Sequence, residues 1–153
     1  MASLDNDEAF EGYWKRPEAT QTAIRDGWYF SGDVGYFDAV GNLHITGRVD
    51  DMILTGGENV LPLEIEQVLI EHPAIMDVAV AGAMDDRLGQ KVVAFVQRCN
   101  VATEDELDRF CGASPLAQFK RPRAYVFVKE VPRSPAGKIL RRSLLVGDFD
   151  VDG

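Results

Sequence analysis

Two cysteines and two histidines in 153 residues leave little material for a disulfide framework or a zinc cluster. Cys99 and Cys111 form no C-x-x-C pair and sit among apolar neighbours in the sequence, so a reducing compartment fits. Long hydrophobic runs are missing too, and nothing approaches the roughly 18 to 20 apolar residues of a membrane span. The opening Met1-Ala2-Ser3-Leu4-Asp5-Asn6-Asp7-Glu8 is acidic where a signal peptide is basic and then apolar, and a cytoplasmic protein is expected. Positive charge is scarce overall: 16 Lys and Arg stand against 25 Asp and Glu, for a formal charge of -9. That balance excludes general binding to nucleic acid or acidic membranes, because neutralising phosphates drives both.

The hydrophobic content of 46% suffices for one respectable core, or one core with an appendage. The charge is unevenly spread. Residues 51 to 119 carry four basic against twelve acidic residues, whereas Lys120 to Arg142 carries eight basic residues and the single acid Glu130. A local anion site inside an acidic protein follows from that contrast.

The chain is organised around the run from Gly47 to Glu66. Gly47 with Asp50 and Asp51 marks a turn or linker, Met52 to Leu54 is a short apolar strand, and Thr55-Gly56-Gly57 is a turn open to backbone conformations that other residues avoid. Pro62 suits the first turn of a helix, Ile65, Val68 and Leu69 fall on one face, and His72-Pro73 ends it.

Upstream, residues 1 to 26 show helical spacing only in places, broken by Trp14 and Pro17. Gly27-Trp28-Tyr29-Phe30-Ser31-Gly32-Asp33 reads as a strand entering a turn, with Asp33 bonding backbone N–H groups. Val34 to Ile45 reads as a hairpin eased by Gly41, with His44 packed within it. Downstream, Asp77 to Ala81, Lys91 to Gln97 and Ala124 to Val128 read as strands, with a polar loop over Met84 to Gln90. Thr103 and Glu106 spell a capping box for a helix with Leu107, Phe110 and Cys111 on one face, and a last short helix holds Leu140 and Leu144. The order after Asp50 is strand, helix, strand, strand, helix, strand, helix, an α+β domain of about a hundred residues.

Two basic segments carry candidate chemistry. Pro132-Arg133-Ser134-Pro135-Ala136-Gly137-Lys138-Ile139-Leu140-Arg141-Arg142 sets one lysine on a loop shaped by proline and glycine. A loop lysine is ordinarily solvated, yet an ammonium so held could donate to two anions at once. Phe119-Lys120-Arg121-Pro122-Arg123 is ordinary surface charge on one reading. On another, an aromatic beside closely spaced guanidinium groups stacks on a base and pairs with phosphates.

Taken together, the Gly-Trp-aromatic-x-Ser-Gly-Asp run at 27 to 33, the Gly47-Arg48-x-Asp50 run, the glycine turn and the Pro-x-x-x-x-Gly-Lys-x-x-Arg-Arg run ending at Arg142 resemble the adenylate-forming superfamily. This superfamily includes acyl- and aryl-CoA synthetases, luciferases and peptide-synthetase adenylation domains. The likeness runs from Gly12 to Arg142 and is strongest to the benzoate-type CoA ligases. Ser31 stands where threonine is commoner and keeps the hydroxyl.

The resemblance implies that residues 1–50 end a large N-terminal domain and that residues 51–153 form a small mobile C-terminal domain, with the hinge at Asp50. It implies ATP and CoA as cofactors and a small-molecule carboxylic acid as substrate. Asp33 would accept both ribose hydroxyls of ATP, a task that suits the two oxygens of a carboxylate. Arg48 would lie near ribose and phosphates. Gly56, Gly57 and Glu58 would line the channel for the pantetheine arm, while Phe119, Arg121 and Arg123 would hold the CoA nucleotide. Lys138 would be the catalytic lysine. The phosphate loop, the acyl pocket and the carboxylate that holds Mg²⁺ would all belong to the missing N-terminal domain, so no metal site is expected here.

The leading expectation is therefore the C-terminal portion of an ATP-dependent acyl- or aryl-CoA ligase, inactive by itself. The competing one is a non-catalytic module or separate subunit that binds CoA or adenine nucleotide. Residues 1–50 hold little that could bury a core, and as an orphaned piece they are expected either to be mobile or to pair between chains as a homodimer.

Overall fold

The computed structural model describes residues 1–4 and 11–152. The acidic run from Asp5 to Glu8 lies outside the described residues. The chain separates into two compact units, residues 1–50 and 51–153. The division falls inside one 3-10 turn, Val49–Asp51.

The first unit is built from short pieces. Strand β1 (Ala2–Ser3) and β2 (Ile24–Arg25) both pair antiparallel with β3 (Trp28–Tyr29), and helix α1 (Pro17–Ala23) precedes β2. Pro17 opens α1 where its missing N–H costs nothing, and Glu18 follows in the first turn, where negative charge suits the helix dipole. Strands β4 (Asp33–Phe37) and β5 (Leu43–Arg48) form the expected hairpin, with a bulge at Val34/Gly35. Asp38 organises its turn. One carboxylate oxygen accepts the Val40 and Asn42 N–H groups, and the other accepts from the Asn42 side chain and His44. Hydrogen bonds from His44, and then from Asn42, lower the Asp38 carboxyl to about 2.

His44 is not the packed histidine that its apolar neighbours suggest. It is half exposed, 2.9 Å from Asp38, and stacked on Tyr36 with ring centroids 5.1 Å apart. The physical reason is that no residue of either strand of this hairpin is buried, so alternation along β5 has no inside. Phe37, Leu43 and Ile45 share one face, by the pairing register, and all are exposed. No described residue of the first unit is fully buried.

The second unit has a true core. Strand β6 (Ile53–Thr55) turns through Gly56-Gly57 into β7 (Glu58–Val60), which leads into α2 (Pro62–Leu69). A long hairpin of β8 (Ile75–Asp85) and β9 (Gly89–Arg98) follows, then α3 (Glu104–Ala113), a 3-10 turn (Gln118–Lys120), β10 (Ala124–Val128) and α4 (Arg141–Leu145). Strand β9 is the hub. It pairs antiparallel with β8 along its length, parallel with β10 over Val93 to Gln97, and meets β6 at Gly89.

The period of two sorts side chains onto two buried faces. Val78, Val80, Val92, Ala94 and Val96 pack with Ile65 and Leu69 of α2 and with Leu107 and Cys111 of α3. Ala79, Ala81, Val93 and Phe95 pack on the other face with Val128, Val131 and Leu144. Burial on both sides explains why β8 and β9 read as continuous apolar runs rather than alternating ones. The chain end adds to this face: Phe149 meets Phe95 edge to face, and Val151 bridges to Val128.

Three expectations shift at their edges. The polar loop between β8 and β9 shrinks from Met84–Gln90 to 86–88, because Asp85 folds back to accept the Arg87 and Leu88 N–H groups and lets pairing reach Gly89. Strand β7, unforeseen, exists because Gly56 and Gly57 both take positive φ (59° and 87°) and close a two-residue hairpin. Leu140 precedes α4 as its N-cap rather than lying in it. Cys111 is buried as expected, whereas Cys99 is exposed at the end of β9.

The capping box on α3 is fully formed: Thr103 Oγ1 accepts the Glu106 N–H, and the Glu106 carboxylate accepts the Thr103 N–H at 2.8 Å. That backbone bond holds the Glu106 carboxyl below its ordinary value. A lowered folded value means the contribution is present above the unfolded pKa and lost as pH falls through the folded one. Thr103→Ala is therefore expected to cost about 1 kcal/mol in urea unfolding at pH 7. Glu106→Gln should flatten the acid limb of the stability profile below about pH 4.

Candidate functional site

In the first unit, β4 and β5 bring Asp33 and Arg48 opposite each other in register. Arg48 Nη1 donates to Asp33 Oδ1 at 2.7 Å, Nη2 donates to the Ser31 carbonyl at 3.2 Å, and Asp50 Oδ2 lies 3.6 Å away. Gly32 permits this arrangement: it takes φ of 77°, and a Cβ there would stand 3.1 Å from Arg48 Nη2. Arg25, Phe30, Ser31, Asp33, Arg48 and Asp50 line one open hollow, in which the Arg25 guanidinium sits 4.4 Å over the Phe30 ring. The Asp33 N–H donates to Ser31 Oγ, so this turn is capped by the serine and the aspartate side chain is left to Arg48. One carboxylate oxygen of Asp33 makes no further contact among the described residues.

In the second unit, Gly56 and Gly57 form the exposed tip of the β6–β7 hairpin with Glu58 beside them. The Gly56 N–H donates to the Leu88 carbonyl at 2.9 Å, which ties this tip to the β8–β9 turn.

The basic cluster divides by role. Phe119 is partly exposed, with the Lys120 ammonium 5.9 Å from its ring. That ammonium donates to both oxygens of Glu64, at 2.8 and 2.7 Å, so Lys120 is spent on α2. Arg121 Nη2 donates to the Gly112 carbonyl at 3.3 Å, while its Nε is buried with no hydrogen-bond partner. A buried donor left open is costly, and this Nε is the one buried side-chain polar atom without a partner among the described residues. Arg123 points its side chain to solvent, and its N–H joins Val92 of β9.

Lys138 is exposed on a closed loop. The Ser134 N–H donates to its carbonyl at 2.8 Å, its own N–H donates to Ser134 Oγ at 3.2 Å, and Gly137 takes φ of 78°. Its ammonium is in no hydrogen bond or ion pair among the described residues. Nor does any such bond link the lysine loop, the Phe119–Arg123 cluster and the glycine tip to one another.

Arg141, which the sequence does not distinguish from Arg142, proves to be the anchor. Its Nε donates to the Val80 carbonyl at 3.0 Å, Nη2 to Glu66 at 2.7 Å and Nη1 to Asp51 at 3.3 Å. The same Glu66 oxygen accepts the Val80 N–H at 2.8 Å. Burial raises the Glu66 carboxyl above its ordinary value, against the pull of Arg141 and the Val80 N–H. The signal for Glu66 was present: an acid at 66 falls on the stripe of Pro62, Ile65 and Leu69 that α2 buries. Cys111 is not set up as a nucleophile, since burial pushes its thiol up against the hydrogen bond that it accepts from Tyr125. Among the described residues, no group of three His, Cys, Asp or Glu side chains could hold a metal.

The second unit is a small α+β domain that carries an exposed lysine on a Pro/Gly loop. Residues 64–138 match the AMP-binding enzyme C-terminal domain, and that segment belongs to the family. It is 49% identical over 138 residues to a 4-chlorobenzoate–CoA ligase of an Arthrobacter species, covering 90% of this chain and 26% of that protein. It is 46% identical over 140 residues to a long-chain-fatty-acid–CoA ligase of Bacillus subtilis, covering 90% and 25%. Among solved structures, the O-succinylbenzoate coenzyme A synthetase of Bacillus subtilis in complex with AMP superposes with a TM-score of 0.84 at 32% identity, over 94% of this chain and 29% of that one. The chain thus spans about a quarter of the length of the relatives it matches.

Arg141→Ala is expected to lower unfolding free energy by about 3 to 5 kcal/mol, because it leaves a buried carboxylate without its partner. The loss should shrink on acidification, when Glu66 takes a proton. The double change Glu66→Met with Arg141→Met should recover only part of it, because no buried charge is then unpaired but the Val80 N–H and C=O lose their partners. Urea unfolding of the wild type and the two variants at pH 7 and pH 5 checks this.

Proposed function

We propose that this chain is the C-terminal portion of an AMP-forming acyl- or aryl-CoA ligase and that Lys138 is its catalytic lysine. One observation carries the reading: a lysine held on a closed Gly/Pro loop, its ammonium in no ion pair among the described residues, lies in a segment nearly half identical to CoA ligases. In the first step a substrate carboxylate oxygen attacks the α-phosphorus of ATP and the bond to pyrophosphate breaks. Two anions must approach, and an ammonium donating to both offsets their repulsion and the charge that develops at phosphorus. In the second step the CoA thiolate attacks the acyl carbon and AMP leaves.

The remaining residues take the roles that their surroundings support. Asp33, with one oxygen on Arg48 and one open, receives ribose. Arg121, anchored through Nη2 on the Gly112 carbonyl, supplies charge for a CoA phosphate beside the stacking face of Phe119, with Arg123 adding to it. Gly56, Gly57 and Glu58 flank the pantetheine arm. The turn at Asp50 is the hinge on which residues 51–153 rotate between the two steps. Mg²⁺ is bound by the part of the enzyme that precedes this segment, in a cytoplasmic protein. Both aryl and fatty acids are named among the relatives, and the acid itself is chosen elsewhere in the enzyme. In the isolated chain the exposed Phe37–Leu43–Ile45 face pairs between copies.

In the full-length protein, Lys138→Ala should lower adenylation, read as carboxylate-dependent pyrophosphate exchange, by about 100- to 1,000-fold. Conversion of a supplied acyl-adenylate to thioester should be spared. Equal loss in both steps rejects the assignment. For the isolated chain, binding of CoA without exchange would favour a nucleotide-binding module, and light scattering that shows a monomer would reject the pairing.

A further inference from the structure

The backbone that carries Lys138 leaves β10 and reaches α4 through a loop closed on itself by the bonds around Ser134 and by one bridge, Arg133 to Ile139. A closed loop still has to be fixed to the body of the domain. At its exit Arg141 fastens it to the Val80 carbonyl and to Glu66. At its entry Arg133 plays the matching part. Its Nε and Nη2 donate to the two Asp77 oxygens at 2.9 to 3.1 Å, and its Nη1 donates to the Gly137 carbonyl at 2.9 Å. Asp77 and Val80 are three residues apart on β8, so one strand holds both ends of the lysine loop.

We propose that Arg133 and Asp77 are positioning residues for Lys138. One edge of the guanidinium grips a carboxylate on β8, and the other holds the carbonyl immediately before the lysine, which sets the direction in which the ammonium leaves the loop. The inference rests on the reading of Lys138 as catalytic. Arginine suits the task because its donors form a rigid planar fork, whereas an ammonium is a point charge that cannot span both partners. The pair adds little to folding, since Arg133 and Asp77 are 41% and 26% exposed and such pairs are weak. Its weight falls on geometry. A displacement of about 1 Å at a reacting group can cost about 100-fold in rate.

Two readouts test this. In the isolated chain, Arg133→Ala or Asp77→Ala should speed hydrogen exchange at the Gly137 and Lys138 amides at least tenfold, while the core amides of Val93 to Val96 stay protected. In the full-length protein the same variants should lower kcat for adenylation about 10- to 100-fold, with the KM for ATP and the thioester step unchanged. Arg133→Lys should not rescue, and the double variant should be no worse than either single one. Loop exchange rates like those of the wild type overturn the proposal. So does adenylation within twofold of wild type in a protein where Lys138→Ala abolishes it, and so does equal loss in both steps. If Lys138→Ala itself leaves adenylation intact, the catalytic reading of the lysine fails, and the exchange rates alone decide whether Arg133 holds the loop.

Discussion

The second unit depends on one polar contact placed where an apolar one would be expected. Strand β8 pairs only with β9, so the outward N–H and C=O of Val80 need partners from elsewhere, and a buried backbone group without one is costly. Glu66 from α2 accepts the N–H and Arg141 donates to the C=O, while the two side chains bond each other. A helix, a strand edge and the start of the last helix are thereby fixed in one register. Hydrophobic burial would hold them together but would not specify which turn of α2 faces which residue of β8. The pair does, and it leaves no charge uncompensated.

Around that point the sheet is arranged as a shared wall. Strand β9 gives one face to α2 and α3 and the other to α4 and the returning chain end, with its backbone committed to β8 and β10. The candidate chemistry lies where this wall stops: at the glycine tip beside Gly89, at the turn before β10, and on the loop after it. Residues buried on β9 therefore act on these sites only by holding them apart at fixed places, and Lys138 and Arg121 both lie on connections.

Much of this could be read in the residues. Thr103 with Glu106 spelled the start of α3, the valine runs spelled β8 and β9, and Gly-Lys at 137 and 138 marked the lysine loop, because each is a local pattern with a local cause. What could not be read depends on neighbours distant in the chain. Arg141 and Arg142 are equivalent as letters, and only the approach of α2 and β8 buries one and leaves the other exposed. His44 looked like a core residue because the sequence shows alternation but not whether anything covers the sheet. Strand β7 was missed for a nearer reason: two adjacent glycines announce a turn, and the turn was recognised, but its return arm is only three residues long and polar at two of them.

The placement of both loop anchors on β8 also orders events in time. The β8–β9 hairpin is local in sequence and closes through a three-residue connection, so it belongs to the contacts that form early, whereas the ties from Arg133 and Arg141 to the rest of the domain span 56 to 90 residues. The ties from Arg133 and Arg141 can form only once the lysine loop has been made, so the loop docks onto a strand whose own pairing is local. The lysine segment is thus a late docking event on a template that pairs without it.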